Sequence, residues 1–495
     1  MKSRTLMCIA AMTLFAALAV PVRLAAQDKR YKLIDLGTLG GPNSYFTFIG
    51  ARSLNNRGMA TGSADTAMAV SPPFCFNDCF LAHTFVLQNG VLIDLGGLPG
   101  VNISQSGPND INAKGVIAGI AFNGTIDPVI GFPAFDAVVW KDGQIIDLGT
   151  FGGTFSYANA INNQDQAVGF ALNTTPDSFD LGDFCENFPM PTQMRAFIWQ
   201  NGVKQDLGTL GGTDSCALYV NQRGQAAGHS FTDSIVNPST GLPTIDPFLW
   251  DRGRMLDLGS LGGTLGVANW LNNRGQIVGQ SDLVGDGTAH PFLWERGSLK
   301  DLGTLGGSFG IAISVSDAGD IVGGATNKND QAFLAFVWKN GVMTNLGSLP
   351  GDDCSLATKI NSAGQIVGSS FLCAGGPSHA VVWERGSIID LNAFVSSGTG
   401  LQLTEADFIN ERGEISAEAV LPNGDSRAVL LIPFGRGQIN TSATASTQDA
   451  LAHISTLNHT GPVTRSRLTP SEMIAAVRAR FGKRYHILAL RAPRE

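Results

Sequence analysis

Apolar and polar positions alternate along this chain in short stretches, broken by recurring Gly, Asn and Asp. Alternation of that period puts successive side chains on opposite faces of a β-strand. A stretch such as SYANAIN (156–162) runs into an NxxG turn. Glycine there supplies a positive φ, and the asparagine side chain can bond the turn backbone. A second strand of the QIVGQS type (276–281) runs back, and a variable loop follows. A third strand such as HPFLW (290–294) then reaches a short hairpin turn (QNG, KDG, DRG, KNG or ERG). The fourth strand ends in DLG, and a Gly-Gly turn leads onward.

These four strands form one repeating unit. The closing phrase recurs as IDLGTLGG (34–41), IDLGGLPG (93–100), IDLGTFGG (146–153), QDLGTLGG (205–212), LDLGSLGG (256–263), KDLGTLGG (300–307) and TNLGSLPG (344–351), with a degenerate IDLNAF at 389–394. The turn phrase appears eight times, from LNNRGMATG (54–62) to INERGEISA (409–417), at 44–45 residues where no insertion intervenes. Four strands in that length match a propeller blade, whereas a parallel β-helix needs shorter coils. The expected fold is an all-β propeller of about eight four-stranded blades, or seven if one copy sits outside the ring. The chain opens with a lone fourth strand, YKLIDLGTLGG (31–41), and its last copy ends at RAVLLI (427–432) with no DLG after it. The N-terminal strand is therefore expected to complete the last blade and remove the open edge.

The composite phrase resembles that of the HAF-repeat proteins, an extracellular family of bacteria named for His-Ala-Phe on the third strand. HPFLW (290–294) and HAVVW (379–383) come nearest, while RAFIW (195–199) and LAFVW (334–338) keep Ala-Phe without the histidine. The resemblance spans residues 31–432. It implies an exported repeat protein and carries no reaction and no catalytic residue with it.

Composition changes the picture at the two ends. Lys2 and Arg4 precede an apolar run from Thr5 to Val20, followed by the small residues Ala25 and Ala26. This is the pattern of a secretory signal, so residues 1–26 are expected to be removed and the product to be secreted, extracellular or periplasmic, with no membrane span. Residues 27–434 form the propeller, 435–468 a Ser/Thr-rich linker, and 469–495 a basic helical tail opened by the capping box Thr469–Glu472. The whole chain carries −8. With the three positive charges of the signal and the tail's nine basic and three acidic residues set aside, residues 27–434 carry −17. An acidic body of this kind is no nucleic-acid binder, whereas a basic tail could dock on it or on an anionic surface. Oligomeric state is not legible.

Six cysteines remain in the mature chain, an even number that favours disulfides in an exported protein over a metal site. The most local connectivity is Cys75–Cys79, Cys185–Cys216 and Cys354–Cys373.

Residues that recur in every copy read as architecture. The DLG aspartates, the turn asparagines and the six third-strand tryptophans (with bonded indole N–H groups) fall in this class. Function is expected where the copies differ, in the 2–3 loops 63–83, 120–136, 170–195 and 229–246, which open on one face with the segments joining one copy to the next. All six cysteines are assigned to those loops and joining segments. The residues opening strand three, His83, Asp136, Arg195, Asp246, His290 and His379 (with Leu334 and Arg427 in the remaining copies), ring that face and are the candidate ligand-binding positions. Aromatics on the insertions, Phe74, Phe76, Phe80, Phe132, Phe135, Phe179, Phe184 and Phe188, could dock a glycan or a protein, or pack the loops down. DLVGDG (282–287) and TNKNDQ (326–331) are oxygen-rich but read as solvated loops rather than calcium sites. No metal, cofactor or catalytic set is assigned. The sequence thus points to an exported binding module or scaffold for a polysaccharide or cell-surface protein. The alternatives are a hydrolase or lyase with carboxylates over the channel and a structural envelope or matrix component.

Overall fold

The computed structural model describes residues 30–46, 52–75, 78–177, 185, 190–238, 241–396 and 398–434, together with Thr469 and Glu472. Each repeat copy becomes four antiparallel strands paired in chain order. In repeat 3 these are the inner strand Ser156–Ile161, the second strand Ala167–Pro176, the third strand Thr192–Gln200 and the outer strand Val203–Asp206. Repeats 4, 5 and 6 merge into one twelve-stranded sheet through single parallel bridges, Ile245 with Leu265 and Ala289 with Phe309. The last repeat takes its outer strand from the N-terminus, with Arg30–Asp35 pairing antiparallel to Ser426–Phe434. Among the described residues of the repeats, helix is confined to the short 3-10 turns Lys328–Asp330 and Leu391–Phe394.

Small residues set the spacing inside and between sheets. A Cβ on Gly169 of the second strand would lie 1.8 Å from the Tyr157 carbonyl oxygen, so this position cannot carry a side chain. Between sheets, a serine at the start of the inner strand acts as a staple that the sequence reading missed. Ser156 Oγ accepts from Ala137 N of the preceding repeat at 2.8 Å and donates to Gly149 O at 2.7 Å. Ser106, Ser215 and Ser355 make the same two bonds.

Repeats 4 and 5 break this rule in a coupled way. Their third strands carry Pro247 and Pro291, which have no N–H to donate, and the facing serines are replaced by Gly266 and Gly310. A Cβ at either glycine would meet the proline Cδ at 2.9 Å. These are the two junctions bridged into the merged sheet.

The apolar core lies between successive sheets. Trp140, Trp199, Trp250, Trp294, Trp338 and Trp383 are all buried there; Trp199, for example, packs with Phe197, Val139 and Ala118 across repeats 2 and 3. Full burial of a large apolar side chain is worth about 3 kcal/mol at most. The expected indole bonds are absent at two positions, because Trp140 and Trp383 Nε1 have no hydrogen-bond partner among the described residues.

The turn asparagines do more than shape their own turns. Asn55 Nδ2 donates to Asn112 O, Asn112 to Asn162 O, Asn162 to Asn221 O, Asn221 to Asn272 O and Asn272 to Ser316 O. The series resumes with Asn361 to Asn410 O and Asn410 to Asn55 O, a bond that ties repeat 8 to repeat 1. Ala428 N to Ser44 Oγ (3.0 Å) and Ser53 Oγ to Ser416 Oγ (2.8 Å) join the same two repeats.

Candidate functional site

Antiparallel order puts the 2–3 loops and the DLG turns at one end of every sheet and the asparagine turns at the other. At the loop end, the DLG aspartate accepts from the glycine N–H two residues on, as in Asp147 to Gly149 (2.7 Å) and Asp257 to Gly259 (2.7 Å). Its remaining capacity faces the residue that opens strand three. His83 Nδ1 lies 3.1 Å from Asp94, His290 Nδ1 2.9 Å from Asp301, and Arg195 Nε 3.2 Å from Asp206. His379 instead meets Asp352 at 3.1 Å, and this bond raises its pKa. Arg427 donates to Pro42 O and Ser426 O. Each candidate rim residue is thus engaged beside its own sheet. The six form separate local pairs, cross-strand except for His379 with Asp352 of the joining segment, rather than one converging constellation.

Two repeats replace the cation with a carboxylate. Asp246 stands beside Asp257, and burial, then that neighbour, pushes it up to about 7. Asp136 accepts from Asn123 Nδ2 at 3.0 Å and is pushed up to about 6, chiefly by burial. The nearby Lys204 donates to Gly149 O (2.6 Å) and Thr150 O (2.8 Å), and burial lowers it to about 8. Asp65, beside Asp78 in repeat 1, rises to about 7 through burial and then that neighbour. Asp214 reaches about 6 for the same first cause. The loop end therefore holds several carboxyl groups that keep their protons unusually long.

The variable loops are shorter than expected, because part of each insertion extends the 2–3 hairpin. Strand pairs Ala60–Ala69 with Phe80–Gln88 and Ile117–Ile126 with Pro133–Lys141 leave tips of only 70–79 and 127–132. In repeat 3 the paired strands Ala167–Pro176 and Thr192–Gln200 extend the hairpin likewise. Its Cys185 is bonded to Cys216 in the inner strand of repeat 4, and Cys354 at the head of the repeat 7 inner strand is bonded to Cys373. Cys75–Cys79 closes the repeat 1 tip. Cys216 and Cys354 thus lie in strands rather than in loops or joining segments. Asp353 beside the Cys354–Cys373 pair offers no metal cage, since both sulfurs are spent in the disulfide.

The loop aromatics within the described residues pack inward. Phe135 is buried 5.0 Å from Phe155, Phe132 lies 6.5 Å from Phe155, and Phe74 lies 6.5 Å from Phe122. Phe80 is half-buried. Phe76, Phe179, Phe184 and Phe188 lie outside the described residues. In the two oxygen-rich loops, Asp286 accepts from Thr264 N (2.6 Å) and Oγ1 (2.8 Å), and Asp330 from Ser308 N (2.7 Å) and Oγ (2.8 Å). These carboxylates fasten loop to inner strand.

A second cluster sits where the inner strands face one another. The position two residues before the turn asparagine, or before Ser316 in repeat 6, carries Ser53, Asp110, Ala160, Tyr219, Trp270, Ser314, Lys359 and Phe408 in order. Arg52 adds to this set, pairing with Asp110 at 2.6 Å and reaching Ile161 O two repeats on. Lys359 of repeat 7 lies over the Trp270 ring of repeat 5 and 5.1 Å from that of Phe408. Tyr219 stands 5.2 Å from Trp270. Contacts between repeats that are not neighbours put these side chains in one shared interior. Sequence reasoning passed over them; the signal was a single position that varies in an otherwise repetitive phrase.

No protein-family model matches the chain, and no curated protein does. Among solved structures it is similar to acylaminoacyl peptidase of Pyrococcus horikoshii, with a TM-score of 0.41 and 12% identity over 76% of this chain and 57% of that one. It is similar to dipeptidyl peptidase 4 of Porphyromonas gingivalis at a TM-score of 0.43 and 10% identity, over 72% and 55%. TolB of Acinetobacter baumannii follows at 0.29 and 11%, over 65% and 81%. The chain spans little more than half the length of the two peptidases. At such identities and scores the likenesses carry nothing about activity.

Proposed function

We propose that the chain is an exported, HAF-type propeller of eight blades, released from its signal after Ala26, that binds an extracellular polysaccharide or surface protein through its loop end. Pairing of Arg30–Asp35 with the last repeat, and the Asn410–Asn55 bond, support closure of the ring. The observation that carries the binding reading is the elaboration of one end only, with hairpin tips at 70–79 and 127–132 and the extended repeat 3 hairpin anchored by disulfides and by buried aromatic rings. The docking surface offers no exposed aromatic ring among the described loop residues, whose aromatics are used in packing, and its exposed apolar side chains are aliphatic or Met, among them Met68, Val129, Ile235 and Val284. It is also acidic, since the DLG aspartates all lie at this end, whereas Arg57, Arg223, Arg274 and Arg412 lie in the turns of the opposite end. Such a surface favours a neutral glycan or a basic protein over an anionic polymer.

Retention of the purified mature protein on neutral and anionic polysaccharides and on basic proteins tests this reading. Neutral or basic ligands should retain it, and replacing tips 70–79 and 127–132 with short turns should abolish retention; unchanged retention in that variant would sink the reading. The Asp246–Asp257 pair, with one carboxyl held protonated near neutrality, favours a second reading as a hydrolase or lyase. Soluble sugar products that vanish in Asp246→Asn would establish it.

A further inference from the structure

Lys359 is 92% withdrawn from solvent, with a relative exposure of 8%, and its Nζ has no hydrogen-bond acceptor among the described residues. One face of the ammonium rests on Trp270, which leaves N–H donors aimed into the shared interior. The Arg52 guanidinium adds positive charge. Asp110, Asp317 and Glu411 act on Lys359 only through charge, without a hydrogen bond, and Asp110 is already occupied by Arg52 Nε (2.8 Å) and Nη2 (2.6 Å) and by Ile161 N (2.8 Å). A buried cation without a hydrogen-bonded counter-charge is costly, because burial removes its hydration and nothing replaces it.

A second, independent observation falls at the same place. To reach Trp270 of repeat 5, the Lys359 side chain must pass the repeat 6 position held by Ser314. Ser314 is 1% exposed, and its Oγ also lacks a partner among the described residues. The bonds that link inner strands elsewhere stop here too. Asn109 donates to Ala158 O, Asn159 to Ala217 O, Asn269 to Ala312 O and Thr358 to Ala406 O, but Ile313, the equivalent residue of repeat 6, has nothing to donate, as is also true of Leu218 in repeat 4. Likewise the asparagine series is interrupted at Ser316. Two buried donors and two missing inter-repeat links therefore coincide at the junction of repeats 6 and 7.

We propose that this junction holds a small monovalent anion, a halide or a small carboxylate, bound by Lys359 Nζ and Ser314 Oγ and supported by the charge of Arg52. Its uptake should be linked to protonation. Burial first and Arg52 second push Lys359 well below its ordinary range, while Asp110, Asp317 and Glu411 act in the other direction. A bound anion stabilises the ammonium, so affinity should fall as pH rises.

Crystals of the mature protein soaked in bromide should show an anomalous peak within hydrogen-bonding distance of Lys359 Nζ; water alone at that point would overturn the proposal. In solution, melting temperature at fixed ionic strength should be higher in chloride than in gluconate, which is too large to enter. A formate series distinguishes a carboxylate from a halide. The chloride increment should vanish in Lys359→Met, whose stem still covers Trp270, and shrink in Ser314→Ala. Equal melting temperatures in chloride, formate and gluconate would overturn the proposal even if Lys359→Met fails to fold.

Discussion

Asp246 shows how one residue sets a pH dependence. Its folded pKa of about 7 lies above the ordinary 3.8, so between those values the folded state holds a proton that the unfolded chain has released. Stability gained from this group is therefore present at low pH and lost as pH rises across that window. His379 acts in the same direction, since its pair with Asp352 stabilises the fold below the ordinary histidine value and fades as pH passes the raised one. Asp246→His would turn DPFLW into the HPFLW of repeat 5 and give Asp257 the partner that Asp301 has in His290. Urea denaturation should show this variant more stable than wild type at pH 7.5, by about 1 kcal/mol, with a flatter profile between pH 5 and pH 7. An unchanged profile would mean the Asp246 proton does not belong to the folded state. The rim residues themselves were legible in the sequence because they occupy one repeat position. Their partners were not, since the DLG aspartate reads as a turn residue and serves both roles.

At the level of strands, the serine staple and its proline–glycine replacement give a sharp test. Gly266→Ser alone puts a side chain against Pro247 and should cost about 1–3 kcal/mol, the usual range for overpacking. Paired with Pro247→Ala, which restores the N–H donor, it should recover most of that loss, and the coupling is read from a double-mutant cycle of unfolding free energies. Additive effects would refute the coupled account. The pattern was present in the sequence, where DPFLW and HPFLW are each followed by LGV and FGI in place of a serine-bearing phrase. It stayed hidden because the two halves lie in different repeats and only packing joins them. The Cys185–Cys216 bond makes a similar junction between repeats 3 and 4. Replacing both cysteines by serine should cost about 3 kcal/mol through the freed loop, checked by denaturation with the other two bonds intact.

The whole molecule was the most legible level, since a recurring four-strand phrase dictates a succession of four-strand units, which the structure arranges as five four-stranded sheets and one of twelve strands. The opposite is true of the shared interior, where Arg52, Asp110, Tyr219, Trp270, Lys359 and Phe408 come together from repeats far apart in sequence. Each looks like an ordinary inner-strand residue in its own copy, and only the curvature of the assembly makes them neighbours. The signal expected at 1–26 and nearly all of the tail lie outside the described residues, although Thr469 and Glu472 make the reciprocal bonds of a capping box, Thr469 N to Glu472 Oε2 at 2.7 Å and Glu472 N to Thr469 Oγ1 at 3.3 Å. Deleting residues 30–35 should expose an unpaired edge on Ser426–Phe434, and size-exclusion chromatography is expected to show larger species than the intact chain forms at the same concentration.

The sheet that unites the first and last strands also imposes an order of events on biogenesis. Its outer strand is made near the start of synthesis and its other three near the end, and the seam bond from Ala428 to Ser44 closes a span of 384 residues. The early strand has no partner until almost the entire chain has emerged, so the seam can form only at the last stage. Pairing over such a separation is slow, and the waiting strand is an aggregation hazard. A nascent chain stalled before residue 402 should leave Arg30–Asp35 open to protease, and only extension past Phe434 should protect it. Delayed closure of this kind keeps the ends of the chain apart through nearly all of synthesis, because the lock cannot engage before residues 402–434 have been made.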